Sequence, residues 1–112
     1  MVYVFLADGF ETVEALAVVD ILRRAGIETK TVGVGKRVIT SSHNIPVTAD
    51  ITEAEADISL ADAVVLPGGI PGTPNLEASE TVQRFIDYCA DNGKYLCAIC
   101  AAPSILGHKG LL

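Results

Sequence analysis

Ala98-Ile99-Cys100-Ala101-Ala102-Pro103, close to the carboxyl end of the chain, is the stretch on which the reading of the fold turns. The apolar residues 95–99 that lead into it predict a buried strand, and residues 101–106 predict the start of a helix. Cys100 falls in the gap between them with only small neighbours. Small residues on both sides let the backbone turn sharply, which lifts the side chain at the apex off the sheet and over a helix N-terminus. There the helix dipole and unpaired backbone N–H groups favour a thiolate. The pattern is the cysteine form of a strand-to-helix nucleophile elbow. The other reading of the same six residues is a small buried cysteine in a helix cap.

Working outward, residues 2–7 (Val-Tyr-Val-Phe-Leu-Ala) form a continuous apolar run, the signature of a strand covered on both faces. Asp8-Gly9-Phe10 breaks it, and residues 11–25 predict a helix closed by Gly26. Residues 29–34 predict a second strand. Residues 37–40 and 45–48, around Ser41-Ser42-His43-Asn44, predict a hairpin whose second arm is confined to an edge by Pro46. The acidic stretch 52–58 reads as a short helix or loop. Residues 63–66 predict a third buried strand ending in Pro67-Gly68-Gly69, and residues 70–75, with Pro71, Gly72 and Pro74, read as a loop. From 79 to 92 the chain is amphipathic, with Val82, Phe85, Ile86, Cys89 and Ala90 on one face of a helix that Gly93 ends. Strands alternating with helices imply right-handed crossovers and a mainly parallel sheet. The expected fold is a single α/β domain over residues 1–112, a flavodoxin-like three-layer sandwich.

Composition narrows the function classes. Half the residues are hydrophobic and the mean hydropathy is +0.43, ample for a core and too rich for disorder. Charges and glycines break every apolar run short of a membrane span, so no membrane association is expected. A net charge of −6 argues against a nucleic-acid partner. Three cysteines, an odd number, fit a reducing compartment better than a disulfide framework. With no basic leader ahead of residue 2, the expected location is the cytoplasm.

Glu14 is the first candidate partner for Cys100. On a helical wheel of about 100° per residue, Leu16, Asp20, Arg23 and Arg24 share a solvated arc, and Val18, Ile21, Leu22 and Ala25 share the buried one. Glu14 belongs with the buried arc, near the carboxyl edge of the first strand. A carboxylate there must find donors or keep its proton. Ionised, it would oppose a thiolate at Cys100; protonated, it would donate a hydrogen bond to the sulfur and favour the thiolate. The second arrangement is the expectation. Glu11, at the helix entrance, reads as an ordinary helix-start acid. In sheets of this kind ligands sit beyond the carboxyl ends of the strands, where Asp8–Phe10, Pro67-Gly68-Gly69 and Cys100 all fall. A glycine amide of that turn and the Ala101 amide could form an oxyanion hole.

Other chemistries fit less well. Cys97 and Cys100 form a Cys-x-x-Cys, but no second pair completes a zinc site. Cys97 is expected inside the strand, buried and apart from Cys100, which disfavours a dithiol pair, and Cys89 is expected in the core. His108 lies eight residues past Cys100, about 12 Å along a helix, and His43 reads as a solvated loop residue.

These residues resemble the ThiJ/PfpI family, which includes the parkinsonism-associated redox sensor and deglycase. The matching motifs are Ala-Asp-Gly-Phe-Glu-Thr-Val-Glu (7–14), Val-Asp-Ile-Leu-Arg-Arg-Ala-Gly-Ile (19–27), Val-Val-Leu-Pro-Gly-Gly (64–69) and Ala-Ile-Cys-Ala-Ala-Pro (98–103). The resemblance implies a Cys100 nucleophile, a protonated Glu14 beside it, and oxyanion donors at the Gly69 and Ala101 amides. It implies no metal or organic cofactor, and a small-molecule carbonyl substrate handled by glyoxalase- or deglycase-like chemistry. A redox sensor or chaperone-like stress protein is the alternative, followed by an intracellular protease or amidase. The protease branch usually carries a His directly after the nucleophile, where this chain has Ala101. Family members also continue well past residue 112, so the chain is expected to be a C-terminally truncated part of the domain. A homodimer, or association with the missing C-terminal portion, would then cover the exposed sheet edge.

Overall fold

The computed structural model describes residues 1–112. In chain order the elements are β1 (Val2–Leu6), α1 (Thr12–Arg24), β2 (Thr29–Gly33), β3 (Val38–Thr40), β4 (Pro46–Thr48), β5 (Ile51–Thr52), β6 (Ala63–Leu66), α2 (Gly72–Glu77), α3 (Glu80–Asp91), β7 (Tyr95–Ala98) and α4 (Pro103–His108). Two single 3₁₀ turns, Glu53–Glu55 and Ile58–Leu60, fill the acidic segment. Five strands form one sheet in the order β5-β2-β1-β6-β7, and every pairing in it is parallel. The hairpin β3–β4 stands apart as a two-stranded antiparallel ribbon. No helix is long and apolar enough to cross a membrane.

The apolar run of β1 is explained by its central place. Tyr3, Phe5 and Ala7 point into one core with Val32, Val64 and Leu66, while Val4 and Leu6 point into the other with Val65. Right-handed crossovers run in opposite directions from the centre, so they put helices on opposite faces. The first core is roofed by Leu76 of α2, by Val82, Phe85, Ile86 and Cys89 of α3, and by Ile105 and Leu106 of α4. The second is roofed more thinly, by Ala15 and Val19 of α1 with Phe10 and Ile39, and at its margin by the half-buried Val18 and Val47. Each fully buried Phe, Leu or Ile contributes roughly 1.5–3 kcal/mol relative to exposure.

This unequal cover corrects several sequence-level expectations. β7 is an edge strand, not a buried one: Tyr95 is 75% exposed and Cys97 is exposed as well. Tyr95, Cys97 and Ile99 face the side that carries α1, and one helix is too narrow to span the sheet to that edge. The result is an apolar groove of about 290 Å³ lined by Val2, Val18, Leu22, Val65, Cys97 and their neighbours. On α1 the inward residues are Ala15 and Val19, and Ile21 points outward, 64% exposed, as does Ala25. Leu16, placed with the solvated arc, is half-buried. Ala90 likewise lies outside the buried face of α3. The segment read as a loop at 70–75 contains the start of α2. Pro74 falls in that helix's first turn, where a missing N–H costs nothing. α4 begins at Pro103 rather than Ala101.

Candidate active site at the strand carboxyl ends

β1 and β6 are neighbours whose connections leave in opposite directions, so a crevice opens between their carboxyl ends. Three turns meet there: Asp8–Phe10 after β1, Pro67–Gly69 after β6, and the elbow after β7. Cys100 has φ +57°, the left-handed region that costs a non-glycine residue about 1–2 kcal/mol. The conformation is held by hydrogen bonds on both sides of it: the Ile99 amide donates to Leu66 O at 3.1 Å, and the Ala102 amide donates to Ile99 O at 3.0 Å. The turn presents the thiol on the surface, and Cys100 is exposed. None of the four surface cavities includes it in its lining.

Glu14 reaches the same place from the first turn of α1. Its Oε1 accepts a hydrogen bond from the Gly68 amide at 2.9 Å. A Cβ placed on Gly68 would lie 2.8 Å from Glu14 Oε1, 2.9 Å from Ile99 O and 3.1 Å from Ala101 N. The carboxyl group and the amide that follows Cys100 therefore converge on a single point, which only a glycine leaves open. No hydrogen bond joins the Glu14 carboxyl to the Cys100 sulfur; the bond that Glu14 does make is to the turn between them.

Gly69 is held on the other side of that turn. It adopts φ +97°, and a Cβ there would meet Glu11 N at 2.5 Å and Gly9 O at 2.7 Å. The Glu11 amide donates to Gly68 O at 2.9 Å, and the Gly72 amide donates to Gly9 O at 3.2 Å. The Gly69 and Ala101 amides donate to no acceptor within the chain. Sequence reasoning grouped the two glycines as one turn. The structure gives them separate tasks, and the adjacent pair in the sequence was the available signal.

A strap outside the crevice fixes its first turn. The Asp8 carboxylate receives Lys36 Nζ at 2.7 Å and the Thr40 amide at 3.0 Å. The lysine and that amide hold the Asp8 carboxyl below its ordinary value. Asn75 Nδ2 donates to Asp8 O at 2.9 Å, and the Gly9 amide donates to Thr40 O at 2.8 Å, so hairpin and α2 are both tied to this turn. The two histidines are exposed: His43 lies 4.0 Å from Glu11 Oε1, and His108 lies 2.6 Å from Glu77 Oε2. Cys89 is buried in the core, and burial raises its thiol above the ordinary value. No group of three or more His, Cys, Asp or Glu side chains is placed to hold a metal ion.

Comparison with known proteins bears on this arrangement. A family model described as "DJ-1/PfpI family" matches residues 1–112. The dj-1beta protein of Drosophila melanogaster is 34% identical over 109 residues, 96% of this chain and 58% of that protein. A deglycase of Thermococcus kodakarensis is 30% identical over 112 residues, 99% of this chain and 66% of that one. The crystal structure of a mutant of a DJ-1 superfamily protein from Salmonella typhimurium superposes with a TM-score of 0.93 at 44% identity, covering 99% of this chain and 61% of its own. The chain thus spans less than two thirds of the length of each.

Proposed function

This chain belongs to the DJ-1/PfpI family, and from that premise we propose that its site performs cysteine-dependent chemistry on reactive carbonyl compounds, of the glyoxalase or deglycase kind. The observation that carries this reading is the convergence at Gly68: a left-handed Cys100 on one side, and the Glu14 carboxyl within 3 Å of the same point on the other. The substrate class is a 2-oxoaldehyde, free or as its adduct with an amine or thiol. That one relative is named a deglycase favours the same class.

The Cys100 thiolate attacks the aldehyde carbon and forms a C–S bond. The new oxyanion is received by the free amides of Gly69 and Ala101, and it takes a proton to give a hemithioacetal. Glu14, protonated beforehand, is the group placed to give and recover that proton. Moving the C1 proton to C2 converts the adduct into a thioester of the 2-hydroxy acid. Water then cleaves the thioester and frees the thiol, with no net oxidation. In this reading the apolar groove beside β7 is covered in the working protein, by a second copy of the chain or by the additional chain that the longer relatives possess.

One observation favours a second reading. Cys100 stands in the open, outside every cavity, as suits a thiol that records peroxide rather than one that turns over substrate. Incubation with methylglyoxal separates the two: the enzyme makes lactate, and Cys100→Ser and Glu14→Gln abolish it. If the unmutated protein makes none while peroxide still oxidises Cys100, the sensor reading replaces the enzyme reading.

A further inference from the structure

Gly69 has its closest neighbours in a single short stretch of backbone. A Cβ on it would meet Glu11 N at 2.5 Å, Gly9 O at 2.7 Å and Phe10 C at 2.9 Å. Gly72 packs on the same stretch, and a Cβ there would lie 2.7 Å from Phe10 N and 2.8 Å from Gly9 C. The placement of Gly69, whose amide is one of the two donors assigned to the oxyanion, therefore follows the placement of residues 9–11.

Those residues belong to neither β1 nor α1, and they are held from behind. The β3–β4 hairpin, which is no part of the five-stranded sheet, makes three hydrogen bonds to the turn. The Gly9 amide donates to Thr40 O at 2.8 Å, the Ser42 amide donates to Phe10 O at 2.8 Å, and the Thr40 amide donates to Asp8 Oδ1 at 3.0 Å. The first two join main chain to main chain; only the third depends on a side chain. Asp8 is engaged on two further sides, with its Oδ2 receiving Lys36 Nζ at 2.7 Å and its carbonyl oxygen accepting from Asn75 Nδ2 at 2.9 Å. Hairpin, Lys36 and α2 are thus all fastened to the turn at one residue.

We infer that Asp8 is a positioning residue for the Cys100 reaction: by binding the Thr40 amide it keeps residues 9–11 against Gly69, and so keeps the Gly69 amide in place for the oxygen of the thiol adduct. The inference rests on the proposed attack of Cys100 on a carbonyl. Asp8 makes no hydrogen bond to Cys100 or to Glu14, and it acts only through the backbone it holds. Alanine at this position loses both carboxylate contacts. Asparagine keeps an oxygen for the Thr40 amide but turns an NH₂ group toward the Lys36 ammonium, donor against donor.

Two reactions of the same thiol separate positioning from general damage. Attack on methylglyoxal creates an oxyanion, whereas alkylation by iodoacetamide displaces iodide from a saturated carbon and creates none. Alkylation therefore reports the thiol alone, and turnover reports the thiol together with the amides. Both are measured in a Cys97→Ser background, which removes the other exposed thiol, on variants shown to be folded by circular dichroism. Outright loss of an oxyanion donor costs about 10²–10³ in kcat, and displacing one costs less. Asp8→Ala is expected to lower the ratio of lactate formation to alkylation about tenfold, and Asp8→Asn about threefold. Asp8→Asn carries the test if Asp8→Ala does not fold. A ratio equal to that of the parent, whether both rates fall in parallel or neither changes, overturns the positioning role and leaves the reading of Cys100 intact. A parent protein that is alkylated at Cys100 yet forms no lactate overturns that reading, and this inference with it.

Discussion

Gly68→Ala tests the central geometry with the smallest possible perturbation. The backbone of Gly68 lies outside the left-handed region, so alanine meets no conformational penalty there and any cost is steric. The added methyl would sit 2.8 Å from Glu14 Oε1, 2.9 Å from Ile99 O and 3.1 Å from Ala101 N. Two of those three atoms are backbone of the elbow and cannot rotate away. Overpacking of this kind costs about 1–3 kcal/mol, and displacing Glu14 from the Gly68 amide adds about 1 kcal/mol more. The sum, about 2–4 kcal/mol, corresponds to a urea midpoint lower by roughly 1–3 M for a slope near 1.5 kcal/mol/M. Two further substitutions give the calculation internal controls. Gly69→Ala adds a φ of +97° to contacts of 2.5 and 2.7 Å with backbone atoms, and should be at least as damaging. Gly107→Ala lies within α4 with nothing inside 4 Å of its Cβ, and should stabilise by about 0.5–1 kcal/mol through helix propensity. The three are read together from urea unfolding followed by circular dichroism. If Gly68→Ala unfolds at the same midpoint as the parent, the elbow and Glu14 do not converge on that residue, and the proposed site loses its basis.

Two other substitutions probe the frame around the site. The Thr73 hydroxyl is buried in α2 without a hydrogen-bond partner, so Thr73→Val removes an unpaired polar atom at constant shape. It should stabilise by about 1 kcal/mol in the same unfolding experiment; a clear loss would mean that the hydroxyl is hydrogen-bonded after all. Asp50 joins β2 to α1. Burial pushes its carboxyl up, but the Thr31 amide and hydroxyl and the Arg23 guanidinium outweigh that and hold it below its ordinary value. A carboxyl depressed on folding contributes stability that is present above the unfolded value of about 3.9 and is lost as pH falls through the folded one. Asp50→Asn should therefore be less stable than the parent at pH 7 and show a flatter decline between about pH 5 and 2. Parallel pH profiles of the urea midpoint would refute the assignment.

The sheet and its helices were legible because periodicity reports burial. Residues 2–7 and 63–66 are apolar at every position because both faces are covered, and they became the two inner strands that bracket the crevice. The same logic misled at β7. Its apolar sequence describes a strand covered on both sides, whereas in this chain one face and one edge are bare. Apolar residues record the cover a segment is built for, and periodicity cannot say which chain supplies it. Helix α2 escaped notice because two prolines and a glycine signal a break, while a first turn tolerates all three. Local chemistry pointed to a thiol among small residues and to an acid in the first turn of α1, and the structure brings the Glu14 carboxyl to the Gly68 amide beside the elbow, with no bond to the Cys100 sulfur. The division of labour between Gly68 and Gly69 was not legible, because it depends on which atoms approach each one from segments about 30 to 60 residues away in the chain.

The halves of the site differ in how firmly they are held. Glu14, Gly68 and Gly69 stand on α1 and β6, elements packed into a core and tied by the Asp8 strap. Cys100 stands at the end of β7, which is paired on one side only, and it carries its left-handed strain there. Ile99, the residue before it, lines the bare groove while its carbonyl packs against Gly68. Glu14 and the Gly68–Gly69 turn thus rest on the better-packed elements, and Cys100 on the strand whose outer edge is open.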